Sequence, residues 1–167
     1  DARPMRTRIA LIGAGVIGGV HAHVLGEMPD ANVTWVADVD HERAAALAAP
    51  LGATATANPD EAVTAPDVDA VVVAAPTPYH RPVVELAAAH GKHVFCEKPI
   101  ALTVEDADAM VAACQLAGVR LMVGQVVRFF PEYARAKAVL DEGTLGQIGV
   151  VRTSRVGGSP AGTRPWF

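Results

Sequence analysis

The chain has 167 residues, of which 51% are hydrophobic and 19% charged; this composition is typical of one substantial buried core and excludes an intrinsically disordered chain. The net charge is −4, and lysine and arginine are scattered, so we expect no nucleic-acid partner. No apolar run is long enough to span a membrane and the first residues lack the apolar region of a signal peptide, so we expect no membrane association and a cytoplasmic location.

The first predicted elements are a strand and a helix. Residues 8–12 are apolar or β-branched, which is typical of a strand covered on both faces. The helix that follows is predicted to begin at Gly15 and to end at Pro29. Its apolar residues recur every four positions, so we expect an inward stripe formed by Val16, Val20, Val24 and Met28.

Strand and helix patterns continue to alternate as far as Gly124. Asp40 and Thr103 are predicted N-caps, because their side chains accept hydrogen bonds from free backbone N–H groups, and Asn58-Pro59 is predicted to open a short helix. The last of these helices is predicted to bury a face formed by Val104, Ala107, Val111 and Cys114. The predicted strands are 33–38, 54–56, 70–75, 93–96 and 121–124, and the helices are 42–49, a short one after Asn58, 80–90 and 103–117.

This alternation predicts an α/β fold, a doubly wound parallel sheet of the Rossmann type with helices on both faces. We assign residues 1–125 to this dinucleotide-binding domain. Beyond it a helix is predicted over 131–142 and a long strand over 148–156, so we interpret 126–167 as the truncated start of a second, α+β domain. If that strand has no neighbour, its open edge favours self-association, and we expect a homo-oligomer.

The stretch GAGVIG contains glycines at positions 13, 15 and 18, with Val16 and Ile17 inside the turn. Gly13 closes the predicted strand and Gly18 lies in the first turn of the helix, where a tight turn and close helix-to-strand packing forbid a side chain. Gly15 leaves room for the close approach of a diphosphate. We expect that diphosphate at the helix N-terminus, where free N–H groups favour an anion.

Asp38 ends the second predicted strand, 20 residues beyond Gly18. This is the spacing of a carboxylate that hydrogen-bonds the adenosine ribose hydroxyls. Such a carboxylate repels a 2′-phosphate, so NAD is favoured over NADP. Arg43 lies one helical turn further on and would weaken this preference if it folded back. The alternative is that Asp38 caps a helix and the glycines serve packing alone.

Two loops that follow strands lie at the edge of the sheet where ligands bind. One spans Ala75 to His80 and contains two prolines that stiffen its backbone. The other spans 96–99, where Pro99 keeps Lys98 out of the helical conformation. A lysine held between a buried strand and a proline is a better candidate for chemistry than an ordinary surface lysine.

No metal site is predicted. His21 and His23 are two positions apart on a helix and therefore point to different sides of it, an arrangement that makes a poor metal site. Cys96 and Cys114 lack the CxxC spacing of a metal or redox site, so we expect free buried thiols.

The chain resembles the Gfo/Idh/MocA oxidoreductases over nearly its whole length. The resemblance rests on GAGVIG with Asp38, on TPYH at 77–80, on GKHVFCEKPIAL at 91–102, and on VGQVVRFFPEY at 123–133 leading into LDEGTLGQIGVV at 140–151. The EKP tripeptide is the most specific of these. Relatives often have Asn at the position that Tyr79 occupies.

The resemblance implies reversible hydride transfer between a nicotinamide and a carbinol carbon of a sugar, polyol or related small molecule. It implies that Lys98 holds the substrate hydroxyl and stabilises developing negative charge, and that Glu97 positions the cofactor or Lys98. Arg128 would reach a substrate oxygen, with a surface or inter-domain ion pair as the alternative. The nicotinamide side would be lined by Ala75, Thr77, Pro78 and His80.

His80 has a second interpretation, as a helix N-terminal residue bonded locally. The resemblance further implies an Asp and a His, four residues apart on a helix of the second domain, that work with the lysine. This sequence ends before that segment, so we expect the chain to bind NAD and to turn over little by itself.

Two other classes of protein remain open. A non-catalytic dinucleotide-binding sensor or assembly module would share the glycine turn and Asp38, and only the role of EKP separates it from an enzyme. A methyltransferase that uses S-adenosylmethionine also follows a strand with GxGxxG and an acid, but EKP and the second proline loop argue against it.

Overall fold

The structure is a computed structural model in which residues 6–154 are described. The chain divides into two compact units, and the division falls between Gln125 and Val126. None of the helices described between residues 6 and 154 combines the length and the apolar character that a membrane span requires.

Six parallel strands form one sheet in the described part of the first unit: β1 Thr7–Ile12, β2 Ala31–Ala37, β3 Thr54–Thr56, β4 Ala70–Val73, β5 His93–Cys96 and β6 Leu121–Val123. They lie in the order β3-β2-β1-β4-β5-β6. The winding therefore reverses between β1 and β4, and ligands of such sheets bind beyond the carboxyl ends of the strands at this reversal. The predicted fold class is confirmed.

The helices of this unit are α1 Val16–Glu27, α2 His41–Ala48, α3 Pro59–Thr64, α4 His80–Ala89 and α5 Val104–Leu116. Three of them begin as predicted, because the side chains of Asp40, Asn58 and Thr103 each accept a hydrogen bond from a backbone N–H in the first turn of their helix. These caps fix where α2, α3 and α5 leave the loops at the carboxyl edge of the sheet.

The core has two layers, because successive side chains of a strand point to opposite faces. On one face Ile9 and Leu11 of β1 are buried with residues of α1 and α2. On the other face Ala10 and Ile12 are buried with residues of α3, α4 and α5. Helices thus cover both faces of the sheet, as the near-continuous apolar strands predict.

The predicted inward stripe of α1 is wrong. The helix buries Gly18 and Ala22 against the sheet. These small residues let the helix backbone lie close to β1 and β2, whereas valines at the same place would hold it away. Four larger residues on another side of the helix are between 47% and 65% exposed: Val16, Val20, Val24 and Met28.

The predicted inward face of α5 is correct only in part. Met110 and Cys114 are buried, whereas Val104 is 71% and Val111 39% exposed. Val104 is the first residue of the helix and Val111 lies beside the buried line, so the face that packs on the sheet is centred on Met110.

The second unit contains a 3₁₀ turn, Val126–Phe129, and the helix α6, Pro131–Asp141, which confirms the helix predicted over 131–142. Residues 148–154 form no strand, contrary to the prediction, and residues 155 and 156 lie outside the described residues. A strand is held by hydrogen bonds to a neighbouring strand, and none lies beside 148–154 in the described part of this unit. The self-association predicted from its open edge therefore loses its basis.

Candidate dinucleotide-binding site

The glycine turn between β1 and α1 is built by close backbone contacts. Gly13 has φ +102°, and a Cβ there would lie 2.7 Å from the carbonyl carbon of Ala74 in the loop after β4. A Cβ on Gly18 would lie 1.9 Å from the carbonyl oxygen of Gly13. Both contacts are impossible for a side chain, so these two glycines are required by the fold itself.

Gly15 differs from the other two glycines of the turn. A Cβ there would meet nothing within 4 Å, so the turn is open on this side. Gly15 is the N-cap residue of α1 and supplies no side chain to bond the free N–H groups of the first turn. The side chains of Val16 and Ile17 beside it are exposed. Open space and unsatisfied donors at a helix N-terminus fit a phosphate group.

The Asp38 carboxylate lies against this turn. Its Oδ2 accepts a hydrogen bond of 2.7 Å from the backbone N–H of Ala14, and its Oδ1 accepts one of 2.9 Å from the N–H of Asp40. The residue that caps α2 is Asp40, so Asp38 is not the helix cap of the alternative interpretation. The carboxylate is thus fixed beside the open side of the glycine turn.

Arg43 does not fold back toward Asp38. Its Nε lies 3.0 Å from the Asp40 Oδ2, one helical turn earlier. The guanidinium is therefore engaged by a second carboxylate. Because both side chains are well exposed, this ion pair contributes little to stability, and its effect is to keep the cation at the start of α2.

The proline loop after β4 places its residues at different depths. Thr77–Tyr79 is a 3₁₀ turn in which Thr77 is half-buried and Pro78 exposed, and Ala75 is half-buried. The ring of His80 is only 1% exposed. The ring therefore lies inside the unit, beneath the surface of this loop.

The ring of His80 instead joins three segments. Its Nε2 lies 2.9 Å from the carbonyl oxygen of Ala75, and its Nδ1 lies 3.1 Å from that of Ile100 and 3.3 Å from the Cys96 Sγ. The bond to Ala75 is the local bond of the second interpretation. Burial, and then the neighbouring charge of Glu97, raise the pKa of the Cys96 thiol to about 12.

The loop after β5 presents Glu97 and Lys98 differently. Glu97 is partly buried; its Oε1 lies 2.9 Å from the His21 Nε2, and its Oε2 accepts a hydrogen bond of 3.0 Å from the backbone N–H of Lys98. Lys98 is exposed, and its peptide bond to Pro99 is cis. The lysine side chain is therefore available at the carboxyl edge of the sheet while its backbone is held.

Sequence reasoning missed His21. The predicted inward stripe of α1 did not include His21, whereas this residue lies three positions after the buried Gly18 and so shares its side of the helix. The contact with Glu97 spans 76 positions of sequence, a separation that no local spacing reveals.

The remaining candidates lie elsewhere. Arg128 belongs to the second unit, where it is exposed in the 3₁₀ turn Val126–Phe129. His23 is exposed on α1, and its Nε2 lies 3.6 Å from the Glu27 Oε1. Between residues 6 and 154 the structure holds no group of three or more His, Cys, Asp and Glu side chains placed to bind a metal ion.

A parallel sheet in this order, an open glycine turn and a carboxylate beside it define a dinucleotide-binding Rossmann domain. Residues 7–125 match the family GFO_IDH_MocA, described as an oxidoreductase family with an NAD-binding Rossmann fold. The chain therefore belongs to the Gfo/Idh/MocA oxidoreductase family, and the resemblance stated from the sequence is confirmed.

Individual relatives agree with this assignment. The chain is 37% identical over 157 residues to inositol 2-dehydrogenase of Rhizobium meliloti, a match over 93% of this chain and 47% of that protein. GenD2 from gentamicin A biosynthesis, solved in complex with NAD, is 34% identical with a TM-score of 0.80, over 86% of this chain and 41% of that one. The WlbA dehydrogenase from Bordetella pertussis, in complex with NADH and UDP-GlcNAcA, is 29% identical with a TM-score of 0.82, over 88% and 43%.

The chain thus spans less than half the length of each of these three proteins. The family's description as an NAD-binding Rossmann fold confirms NAD as the predicted cofactor.

Proposed function

We propose that this chain is the cofactor-binding part of an NAD-dependent oxidoreductase that transfers hydride between a nicotinamide and a carbinol carbon of a sugar, a polyol or a related compound. The relative named inositol 2-dehydrogenase supports the polyol class. The observation that carries the proposal is the position of the Asp38 carboxylate, whose Oδ2 lies 2.7 Å from the Ala14 nitrogen within the glycine turn.

We assign residues 1–125 to the dinucleotide-binding domain and 126–167 to the beginning of a substrate-binding domain. Asp38 would accept hydrogen bonds from the adenosine ribose, and the free N–H groups at the start of α1 would bind the diphosphate. The turn residues in this site are Gly13, Gly15, Val16, Ile17 and Gly18.

The nicotinamide side of the proposed site is formed by the loops after β4 and β5. Ala75, Thr77 and Pro78 would line it, while His80 holds the first of these loops from inside and Glu97 holds the second. NAD, when bound, supplies the hydride acceptor. The protein's part is to orient the ring and to keep the reacting carbon close to it.

Lys98 is the catalytic residue of this proposal. Its ammonium would donate a hydrogen bond to the substrate hydroxyl oxygen and stabilise the negative charge that develops there as the hydroxyl proton passes to water. The Lys98 side chain is exposed, so its amine can move to meet the substrate. Its backbone N–H is hydrogen-bonded to Glu97, so the backbone at residue 98 is held in place. Arg128 would bind another substrate oxygen.

Isothermal titration calorimetry on the Asp38→Asn variant tests the proposal. The amide keeps an acceptor for the Ala14 N–H but removes the charge, so NAD affinity should fall about tenfold or more and the preference for NAD over NADP should shrink. The matched control is Asp108→Asn, which removes the same charge from the exposed side of α5 and should bind both dinucleotides like the unaltered chain.

Two results would contradict the proposal. One is a failure of the unaltered chain to bind either dinucleotide at millimolar concentration. The other is binding of S-adenosylmethionine in their place, which would favour the methyltransferase alternative.

A further inference from the structure

His21 and Glu97 form a link between two segments of the proposed site. His21 lies in the second turn of α1, the helix that begins at the glycine turn, and Glu97 follows β5 and precedes Lys98. The Nε2 of His21 is 2.9 Å from the Glu97 Oε1, and the two side chains are 21% and 17% exposed. The link is therefore largely shielded from the solvent that weakens surface pairs.

Packing fixes the His21 ring in this position. It packs edge-to-face with the ring of Phe95, with the centroids 5.3 Å apart and the planes at 69°. Gly124 lies against both side chains: a Cβ there would be 3.1 Å from the Phe95 Cζ, a tight contact, and 3.4 Å from the Glu97 Oε1, an ordinary one. The ring, the carboxylate and Gly124 thus occupy one closely filled corner.

The two oxygens of Glu97 do different work. As a carboxylate Glu97 only accepts hydrogen bonds, so the His21 Nε2–H donates to Oε1 while the backbone N–H of Lys98 donates to Oε2. The backbone N–H of Glu97 itself donates to the carbonyl oxygen of Val73 at 2.9 Å. Without a donor at residue 21, the partly buried Oε1 of Glu97 loses its hydrogen-bond partner. The Glu97 side chain is then more stable when it turns toward water, and this movement releases the N–H of Lys98.

We propose that His21 is a positioning residue, which holds the Glu97 carboxylate so that this carboxylate holds the backbone of Lys98. The helix that would receive the diphosphate and the loop that presents the amine are thereby joined through one side-chain bond. This inference rests on the proposed function for the importance of Lys98, but the bond itself is tested without it.

Three variants of the full 167-residue chain test the link. His21→Phe keeps a ring against Phe95 but removes the hydrogen-bond donor, whereas His21→Gln keeps an N–H donor of similar reach. His23→Phe is the control, because it replaces the exposed histidine of the same helix by phenylalanine. Amide hydrogen exchange at Lys98, followed by NMR, should be about tenfold faster in His21→Phe and close to that of the unaltered chain in the other two.

A second readout connects the bond to the site. Acylation of Lys98 by an amine reagent, measured by mass spectrometry with Lys137 of the second unit as internal reference, should be slowed by saturating NAD in the unaltered chain. His21→Phe should lose most of this protection and His21→Gln should keep it, while NAD affinity by calorimetry changes less than about threefold in both. If His21→Phe only disrupted the fold, NAD affinity and melting temperature would fall together.

A measurement on the unaltered chain covers the case in which His21→Phe does not fold. Nitrogen-15 NMR of the histidine rings should show the His21 proton on Nε2, because that nitrogen faces a carboxylate. A bare Nε2, equal exchange at Lys98 in His21→Phe and the unaltered chain, or His21→Gln behaving like His21→Phe would each overturn the inference. A chain that binds no NAD but shows the expected exchange pattern would refute the proposed function and leave the link standing.

Discussion

The change of Gly15 to alanine separates the ligand site from the fold. The structure supplies the magnitude, because a Cβ at residue 15 would meet nothing within 4 Å and the backbone φ of −78° is one that alanine adopts freely. We therefore expect the free energy of unfolding to stay within about 1 kcal/mol of the unaltered chain. The added methyl group would occupy the space proposed for the diphosphate, so NAD affinity should fall at least about tenfold.

Alanine substitutions at Gly18 and Gly19 provide two controls, one expected to lower the stability of the chain and one expected to raise it. A Cβ on Gly18 would be 1.9 Å from the Gly13 carbonyl oxygen, so the helix or the turn must move by about 1 Å, and Gly18→Ala should lose on the order of 1–3 kcal/mol of stability. A Cβ on Gly19 meets nothing within 4 Å, and Gly19→Ala should gain about 0.5–1 kcal/mol because glycine is a poor helix former.

The assays are urea unfolding followed by circular dichroism and isothermal titration with NAD. If Gly15→Ala binds NAD as tightly as the unaltered chain, the open side of the turn is not where the diphosphate lies. Equal losses of stability in Gly15→Ala and Gly18→Ala would contradict the structure, which makes residue 15 open and residue 18 closed.

Two further predictions concern groups outside the site. Hydrogen bonds from the Arg8 side chain and backbone lower the pKa of Asp69 from 3.8 to about 2, so this carboxylate contributes stability that is present above pH 4 and lost as the pH falls toward 2. In urea unfolding, Asp69→Asn should therefore lose less stability between pH 4 and pH 2 than the unaltered chain, with Asp108→Asn as the control. Equal losses in Asp69→Asn and the unaltered chain would contradict the assignment. Cys96 and Cys114 are free and buried, and burial raises the pKa of both thiols, that of Cys96 to about 12. At pH 8 a thiol reagent should therefore label both residues only after the chain is unfolded in urea. Rapid labelling of the folded chain would be inconsistent with their burial.

The parts of the fold that the sequence predicted are those that local chemistry decides. Asp40 and Thr103 were predicted as N-caps, and Asn58 as the opening of a short helix. Each of these side chains bonds a backbone N–H within three residues, and that geometry depends on little else. The glycine turn was predicted for the same reason, since strand, turn and helix follow one another directly. Asp38 joins this group because its distance from Gly18 is set by one helix and one strand.

The inward face of α1 was not predicted correctly and that of α5 only in part, because the pattern of large apolar residues does not reveal which side of a helix must approach the sheet most closely. In α1 that side is lined by Gly18 and Ala22, residues that contribute little to a hydrophobic stripe but allow the backbones to meet. The larger Val20 and Val24 share the helical period and therefore resemble an inward face.

This single misreading of α1 also hid the contact that joins the two halves of the site. Since Gly18 and Ala22 set the close approach of the helix to the sheet, His21 between them is carried over Phe95 and reaches Glu97. The small residues on this side of α1 therefore place an imidazole where it can hold the carboxylate next to Lys98. The bond spans 76 positions, so it follows from the packing of the fold and not from any spacing that the sequence displays.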